Sequence, residues 1–428
     1  MQVGSRLARR TPFYYGWVIL FAAGSSMFAR NAAASLTLAV FIYPMAQDLG
    51  WSRTLIAGAA GAGGLAATGA SPVVGWLSDR YGVRLVLLAS ILILGLSTIS
   101  LGWATVPIAF YIAYSAGRVM FASPIQIGAS VVVSRWFVRL RGRASGLLGL
   151  FHSTGMVLFP LIAGLVIQAS GYRSAWVVLG VIVLAVALGP VALLIIQRPE
   201  DVGLSPDGDR ADDEAHDANE AAQRTEEAWT LREAMRTRAL WMLALSTGIL
   251  FLLQSGINIH QAAYFRDQGL GATIAAISVS LNAIFLGIGS VAWGWLLDKI
   301  HVRKVLAGVA LLMAVTSGLF ATADSVSEAL LYASMFGFAL GGLIIVPPVA
   351  FANYFGRGSL GAIRGVTEPF TSLGQAIGAV LSGAIFDITG SYSVAFTTYA
   401  VLGTMTIVLI LAARPPRKPA HVESAAAT

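Results

Sequence analysis

At 428 residues, 57% of them hydrophobic and 11% charged, the chain carries too few charges to cover the outside of a soluble globule of its size. It has no cysteine, which excludes a disulfide framework, a thiol nucleophile and a thiolate metal site. The formal charge of +7 would suit nucleic acid only as a concentrated basic face, and the basic residues are instead spread over the hinges between apolar runs, so no nucleic-acid partner is expected.

Taken in order, Arg6, Arg9 and Arg10 precede an apolar run from Tyr14 to about Pro44. No small-residue cleavage pattern follows at a signal-peptide distance, so the run reads as a retained first helix. Stretches long enough to cross about 30 Å of hydrocarbon as helix are predicted at 14–45, 53–77, 83–104, 107–134, 143–168 and 174–197, then at 239–265, 272–297, 303–322, 327–355, 362–386 and 392–413. The expected class is therefore an all-α membrane protein of twelve transmembrane helices. Two six-helix units, 1–197 and 239–428 with its tail, flank a connecting segment at 198–238. Residues 200–233 hold 12 of the 21 acidic residues, and this segment reads as a solvated linker. Near its end Thr230 and Glu233 have the spacing of a capping box, which predicts a short interfacial helix ahead of the seventh span.

The second half repeats the first at a constant offset. Gly75-Trp76-Leu77-Ser78-Asp79-Arg80-Tyr81-Gly82-Val83-Arg84 returns 219 positions later as Gly294-Trp295-Leu296-Leu297-Asp298-Lys299-Ile300-His301-Val302-Arg303, and Asp48, Gly146, Gly155, Gly164, Gly171 and Ser174 fall on Asp267, Gly365, Gly374, Gly383, Gly390 and Ser393. The second hinge has His301 where the first has Gly82, so a differently shaped loop is expected there. The second span, with Gly58, Gly61, Gly63 and Gly64, and the glycine-bearing fifth and eleventh spans are expected to face other helices.

Placing both ends and the linker on the cytoplasmic side puts 23 of the 28 Lys and Arg residues there. The remainder are Arg53, Arg173 and Arg266 at the opposite face and Arg30 and Arg118 in or near the apolar runs. A bias this strong supports an even number of spans, cytoplasmic termini and a multi-pass protein of the cytoplasmic (inner) membrane.

Two six-span halves with a G-x-L-x-D-[RK]-x-G-x-R hinge after the second span and a weaker echo after the eighth resemble the major facilitator superfamily. Several features are similar to its monocarboxylate porter and oxalate/formate antiporter branches. They are Tyr14-Tyr15-Gly16-Trp17, Arg135-Trp136-Phe137 followed by Arg141-Gly142-Arg143-Ala144-Ser145-Gly146, Gly171-Tyr172-Arg173-Ser174-Ala175-Trp176, and Trp229-Thr230-Leu231-Arg232-Glu233-Ala234. The resemblance implies alternating access, in which two bundles rock about a central site near the bilayer midplane. In that picture Gly75, Asp79, Arg80, Gly82 and Arg84, with Asp298 and Arg303, form a cytoplasmic gate through charge-assisted contacts across helix ends. Many monocarboxylate porters carry charged residues in the eighth span, whereas here that span has none and offers Asn282. The anion-binding charge is thereby expected in the N-terminal half.

An ionisable residue at hydrocarbon depth is by default a functional candidate. The candidates are Arg30, Arg118, His152, His260 and Glu368. Arg30, about halfway along the first span, suits bidentate capture of a substrate carboxylate, with a fixed ion pair to Glu368 as the structural alternative. Arg118 is a second ligand candidate. Glu368, His260 and His152 are candidate proton carriers, and His260, Gln126, Asn282, Tyr114, Tyr264 and Gln375 are candidate neutral ligands of the cavity.

No phosphate-binding loop, HExxH pattern or close His/carboxylate cluster is present, so neither an enzyme, a metal nor a cofactor is expected. The resulting expectation is a monomeric secondary active transporter of a small organic anion, a mono- or dicarboxylate, working by proton symport or anion exchange. A proton-driven exporter of amphipathic compounds and a non-transporting sensor on the same scaffold are the alternatives.

Overall fold

The computed structural model describes residue 8, residues 11–208 and residues 229–416. Arg6, Arg9, Arg10, Arg417, Lys418 and most of the acidic linker lie outside the described residues.

A chain in lipid must satisfy its backbone polar groups internally, and every long apolar run here does so as a helix. In order these are α1 (Gly16–Leu49), α2 (Arg53–Arg80), α3 (Val83–Ser100) and α4 (Pro107–Trp136), then α5 and α6, which share the helical stretch Arg141–Leu194. The second half gives α7 (Arg238–Asp267), α8 (Gly271–Leu297), α9 (Val302–Phe320), α10 (Val326–Phe355), α11 (Leu360–Thr389) and α12 (Tyr392–Ala412). The turn from α5 to α6 is made at Gly171, whose φ of 81° and ψ of 166° suit a residue without Cβ. By hydropathy alone α2 falls short of a membrane span, because glycine and alanine occupy so much of it, but its 28 residues are long enough to cross. The outward faces carry large apolar side chains such as Leu65, Ile108, Val380 and Ile388, as lipid contact requires.

The two six-helix bundles, α1–α6 and α7–α12, meet chiefly along α2 against α11 and α5 against α8. Two helices are interrupted in the first bundle. In α1 a tight turn at Arg30–Ala33 ends at Ala34 in extended conformation, and α4 breaks at Ser123 ahead of Pro124, which has no N–H to continue the helix. The capping box of Thr230 and Glu233 is formed, with reciprocal bonds of 2.8 and 3.3 Å, and it starts the short helix Leu231–Met235.

Candidate functional site

The sharpest feature lies at the arginine-rich end, where the bundles touch. There the carboxylate of Asp79, at the end of α2, accepts from the backbone N–H groups of Gly361 (3.2 Å) and Ala362 (2.7 Å), which open α11 in the other bundle. The carboxylate of Asp298, just past α8, accepts from Gly142 (2.8 Å) and Arg143 (3.3 Å), which open α5. The offset of 219 maps Asp79 onto Asp298, Gly142 onto Gly361 and Arg143 onto Ala362, so one interaction is made twice, in opposite directions across the interface. A helix N-terminus presents unpaired N–H groups and the positive end of the helix dipole, and an anion placed there is stabilised by both. Each contact crosses between bundles, so each resists their separation at this end.

Such an approach needs helices without side chains at the crossing. A Cβ on Gly75 would lie 2.3 Å from the Gly361 carbonyl oxygen, and one on Gly142 would lie 2.3 Å from that of Gly294. Gly365 and Gly146 are crowded too, with the Ser71 and Ser290 carbonyl oxygens 2.6 and 2.7 Å from where a Cβ would stand. The glycines of α5 and α11 therefore face other helices as expected. Along α2 the expectation holds only in part, since Gly58, Gly63 and Gly75 meet other helices and Gly61, Gly64 and Gly69 meet nothing within 4 Å.

Other hinge residues act within their own bundle. Arg84 and Arg303, expected to reach across helix ends, instead donate to the carbonyls of Ala192, near the end of α6, and Leu411, near the end of α12. These acceptors again differ by 219, and both are terminal carbonyls that a cation satisfies well. Arg80 lies over the rings of Trp76 and Tyr81. Gly82 adopts φ 90° with Gln197 packed where a Cβ would stand. In the second copy His301 has φ −53° and its Nδ1 accepts from the N–H of Arg303 at 3.2 Å, so it caps α9 in place of the left-handed turn. Burial, and then Arg303 and Lys304, lower its pKa, which keeps the ring neutral and able to accept. The Asp298 carboxyl is raised by burial, while the two amides and the Arg143 guanidinium, 3.1 Å away, act the other way.

Deeper in the first bundle the two helix breaks hold each other. Arg30, at the break of α1, donates through Nη1 to the carbonyl of Phe121 (2.9 Å), beside the break of α4. Arg118, on α4, donates to the carbonyl of Ala33 (3.4 Å) at the break of α1, and Tyr114 donates to the same oxygen (3.2 Å). Both guanidinium carbons stand 4.5 Å from the centroid of the Phe121 ring. Arg30 is only 5% exposed and its Nη2 meets Nδ1 of His152 at 3.3 Å, while Asn31 reaches the same nitrogen at 3.2 Å. A guanidinium can only donate, so Nδ1 accepts and the ring proton sits on Nε2. Every partner of the two arginines is neutral. Among the described residues neither has a carboxylate within 4.0 Å, and the buried Nε of each has no hydrogen-bond partner.

Glu368 does not pair with Arg30. It is bound by Arg364, one turn earlier on α11, at 2.9 Å, and both side chains are buried. Arg364 counts by sequence as a loop charge, yet its i,i+4 spacing to Glu368 is a pairing distance on a helix. Removing one partner of a buried pair strands the other, at a cost of about 3–5 kcal/mol, whereas removing both is far milder. Arg364→Leu should therefore lower the thermal unfolding temperature in detergent sharply, and Arg364→Leu with Glu368→Leu should recover more than half of the loss. An unchanged temperature in the single variant would mean that another cation serves Glu368.

The remaining candidates are dispersed. His260 donates from Nε2 to the carbonyl of Ala379 (2.9 Å) on α11 and meets the Tyr392 hydroxyl of α12 at 3.2 Å, which makes it a brace among three helices. Tyr264 donates to the carbonyl of Ala323 beyond α9, and Asn282 donates weakly to Asn258 of α7 at 3.4 Å. Gln126 and Gln375 are half-buried on α4 and α11. Sequence reasoning missed Arg135, buried at the end of α4, which pairs with Asp79 at 3.1 Å. It also missed Asn31 and Phe121, whose roles arise from the two helix breaks.

The sequence matches the family profile described as Major Facilitator Superfamily over residues 18–285 and 255–428. It is similar to the membrane sensor protein UhpC of Salmonella typhimurium, with 25% identity over 367 residues that cover 81% of this chain and 80% of that protein. It is also similar to the oxalate:formate antiporter of Oxalobacter formigenes, with 23% identity over 401 residues, 89% of this chain and 88% of that protein. Among solved structures, the proton:xylose symporter XylE bound to 6-bromo-6-deoxy-D-glucose superimposes with a TM-score of 0.77 at 13% identity, over 93% of this chain and 95% of that one, a likeness of fold.

Proposed function

The chain belongs to the Major Facilitator Superfamily of membrane transporters, and on that premise we propose that it moves a small organic anion, a mono- or dicarboxylate, across the cytoplasmic membrane by alternating access. The observation that carries this reading is the pair Arg30 and Arg118, two buried or half-buried cations whose protein partners are all neutral. A guanidinium held away from water with no carboxylate in contact is costly, and a bound carboxylate supplies both the charge and the paired acceptor geometry. Similarity to an oxalate:formate antiporter over most of both chains agrees with this chemistry.

In this reading the arginine-rich end is cytoplasmic, and the Asp79 and Asp298 contacts close the cavity there, leaving it to open to the other side. Anion exchange is favoured over proton symport. The candidate proton carriers are committed elsewhere, Glu368 to Arg364, His152 to Arg30 and His260 to its brace, and two cations whose own contacts are all neutral favour a carrier that moves with an anion bound.

Flux into proteoliposomes tests both parts. Labelled oxalate, formate and lactate are offered to vesicles preloaded with unlabelled anion, to empty vesicles, and to empty vesicles with an inward proton gradient. Uptake that needs internal anion supports exchange, and uptake driven by the gradient alone replaces exchange by symport. Uptake of none of the anions, or uptake indifferent to Arg30→Ala, contradicts the assignment. Anion binding without flux would favour the sensor reading, to which the similarity to UhpC lends weight.

A further inference from the structure

The linker between the bundles reads by composition as a solvated acidic segment, yet one of its acids is buried and fully engaged. Asp207, only 8% exposed, accepts from three successive backbone N–H groups, those of Val138 (3.1 Å), Arg139 (2.8 Å) and Leu140 (3.1 Å), in the loop that leads into α5. To do so it takes a φ of 63°, a region that a non-glycine residue occupies at some cost. The following Gly208 lies against the Tyr14 ring, where a Cβ would stand 2.5 Å from a ring carbon, and Tyr14 donates to the carbonyl of Trp136 at 2.6 Å. This arm of the linker is thus seated in the first bundle at a built site.

Its neighbours along the chain are the gate. The three amides held by Asp207 are followed, after Arg141, by those of Gly142 and Arg143, which Asp298 of the other bundle holds. The equivalent loop of the second bundle, 356–359, is Gly-Arg-Gly-Ser, and Gly356 makes its turn with φ 72°. The first bundle has Phe137 at that place in extended conformation, φ −121° and ψ 124°. One loop is shaped by glycine, the other by a carboxylate from the linker. Nearer the start of the same arm, Glu200 pairs with Arg357 of the second bundle at 3.3 Å, and Arg357 also donates to the carbonyl of Arg135, the partner of Asp79.

We propose that Asp207 is a positioning residue of the gate: by holding residues 138–140 it fixes the start of α5 where Asp298 can capture it, so the linker favours the state closed at the arginine-rich end. The inference rests on reading that end as a gate, and its test separates the two. Because the chain has no cysteine, spin labels can be placed singly, at Tyr81→Cys and Ile300→Cys, both exposed and in different bundles, with Tyr81→Cys and Leu193→Cys as a pair within the first bundle. Asp207→Asn tolerates the same backbone conformation with a weaker acceptor, and Asp207→Gly removes the acceptor while relieving the backbone. Either should raise the ratio of long to short 81–300 distances by about tenfold and leave the 81–193 distance unchanged. An unchanged 81–300 distribution, in a protein where Asp298→Asn does lengthen it, overturns the role of the linker while leaving the gate standing. A change in the 81–193 pair also overturns it, since Asp207 would then only hold the first bundle together. If neither Asp298→Asn nor the Asp207 variants lengthen the 81–300 distance, the gate reading fails and the inference with it.

Discussion

Gly75→Val and Gly294→Val are each expected to reduce transport by at least about tenfold while leaving the protein folded and in the membrane. Their Cβ atoms would stand 2.3 Å from the Gly361 carbonyl oxygen and 2.6 Å from the Gly142 carbonyl oxygen, with Gly365 and Gly146 Cα atoms at 2.9 Å in both cases. These neighbours are backbone, which cannot rotate aside as a side chain can. Relief requires the helices to move apart, and that breaks the carboxylate-to-amide contacts of Asp79 and Asp298 next to them. Overpacking of this kind costs roughly 1–3 kcal/mol, enough to move a balance between two conformations by one or two powers of ten. The penalty falls only on the state closed at this end, so the variants should accumulate open there, read as a longer 81–300 distance. Gly61→Ala on the same helix is the control: nothing lies within 4 Å, and it should transport as well as the unaltered protein.

Arg30→Ala should abolish measurable uptake, and Arg30→Lys should retain little of it. A hydrogen bond to a charged partner contributes about 1.5–3 kcal/mol, so losing one weakens anion binding about ten- to hundredfold, and losing a bidentate contact weakens it further. Lysine keeps the charge but not the planar fork. It also cannot serve the Phe121 carbonyl and His152 Nδ1 in two directions as Arg30 does, so the joint between the α1 and α4 breaks should loosen. A lysine variant with unchanged KM would mean that a point charge suffices and that the paired geometry is irrelevant to recognition.

The scaffold was legible because lipid leaves a chain few choices: an apolar run of about 20 residues must be a helix, and hinge charges give the count. The contacts between the bundles were half legible. Duplication singled out Asp79 and Asp298 by their fixed spacing to glycine, but their partners are amides of the opposite bundle, and backbone N–H groups carry no sequence signal. Arg364 was misjudged as a loop charge although its spacing to Glu368 was visible. Composition misled at Asp207 as well, since an acid among many acids gives no hint that three amides await it. The break of α4 could be read from Pro124, whereas that of α1 at Arg30–Ala33 has neither glycine nor proline to mark it.

Arg30 and Arg118 are proposed to form an anion site. Equilibrium binding of labelled oxalate to the purified protein, competed by carboxylates and by their uncharged amides of nearly the same shape, tests it most directly. Displacement by oxalate, formate or another small carboxylate is expected, with no displacement by oxamide or formamide and with loss of binding in Arg30→Ala. Equal competition by the amides, or full binding of oxalate by Arg30→Ala, would contradict it.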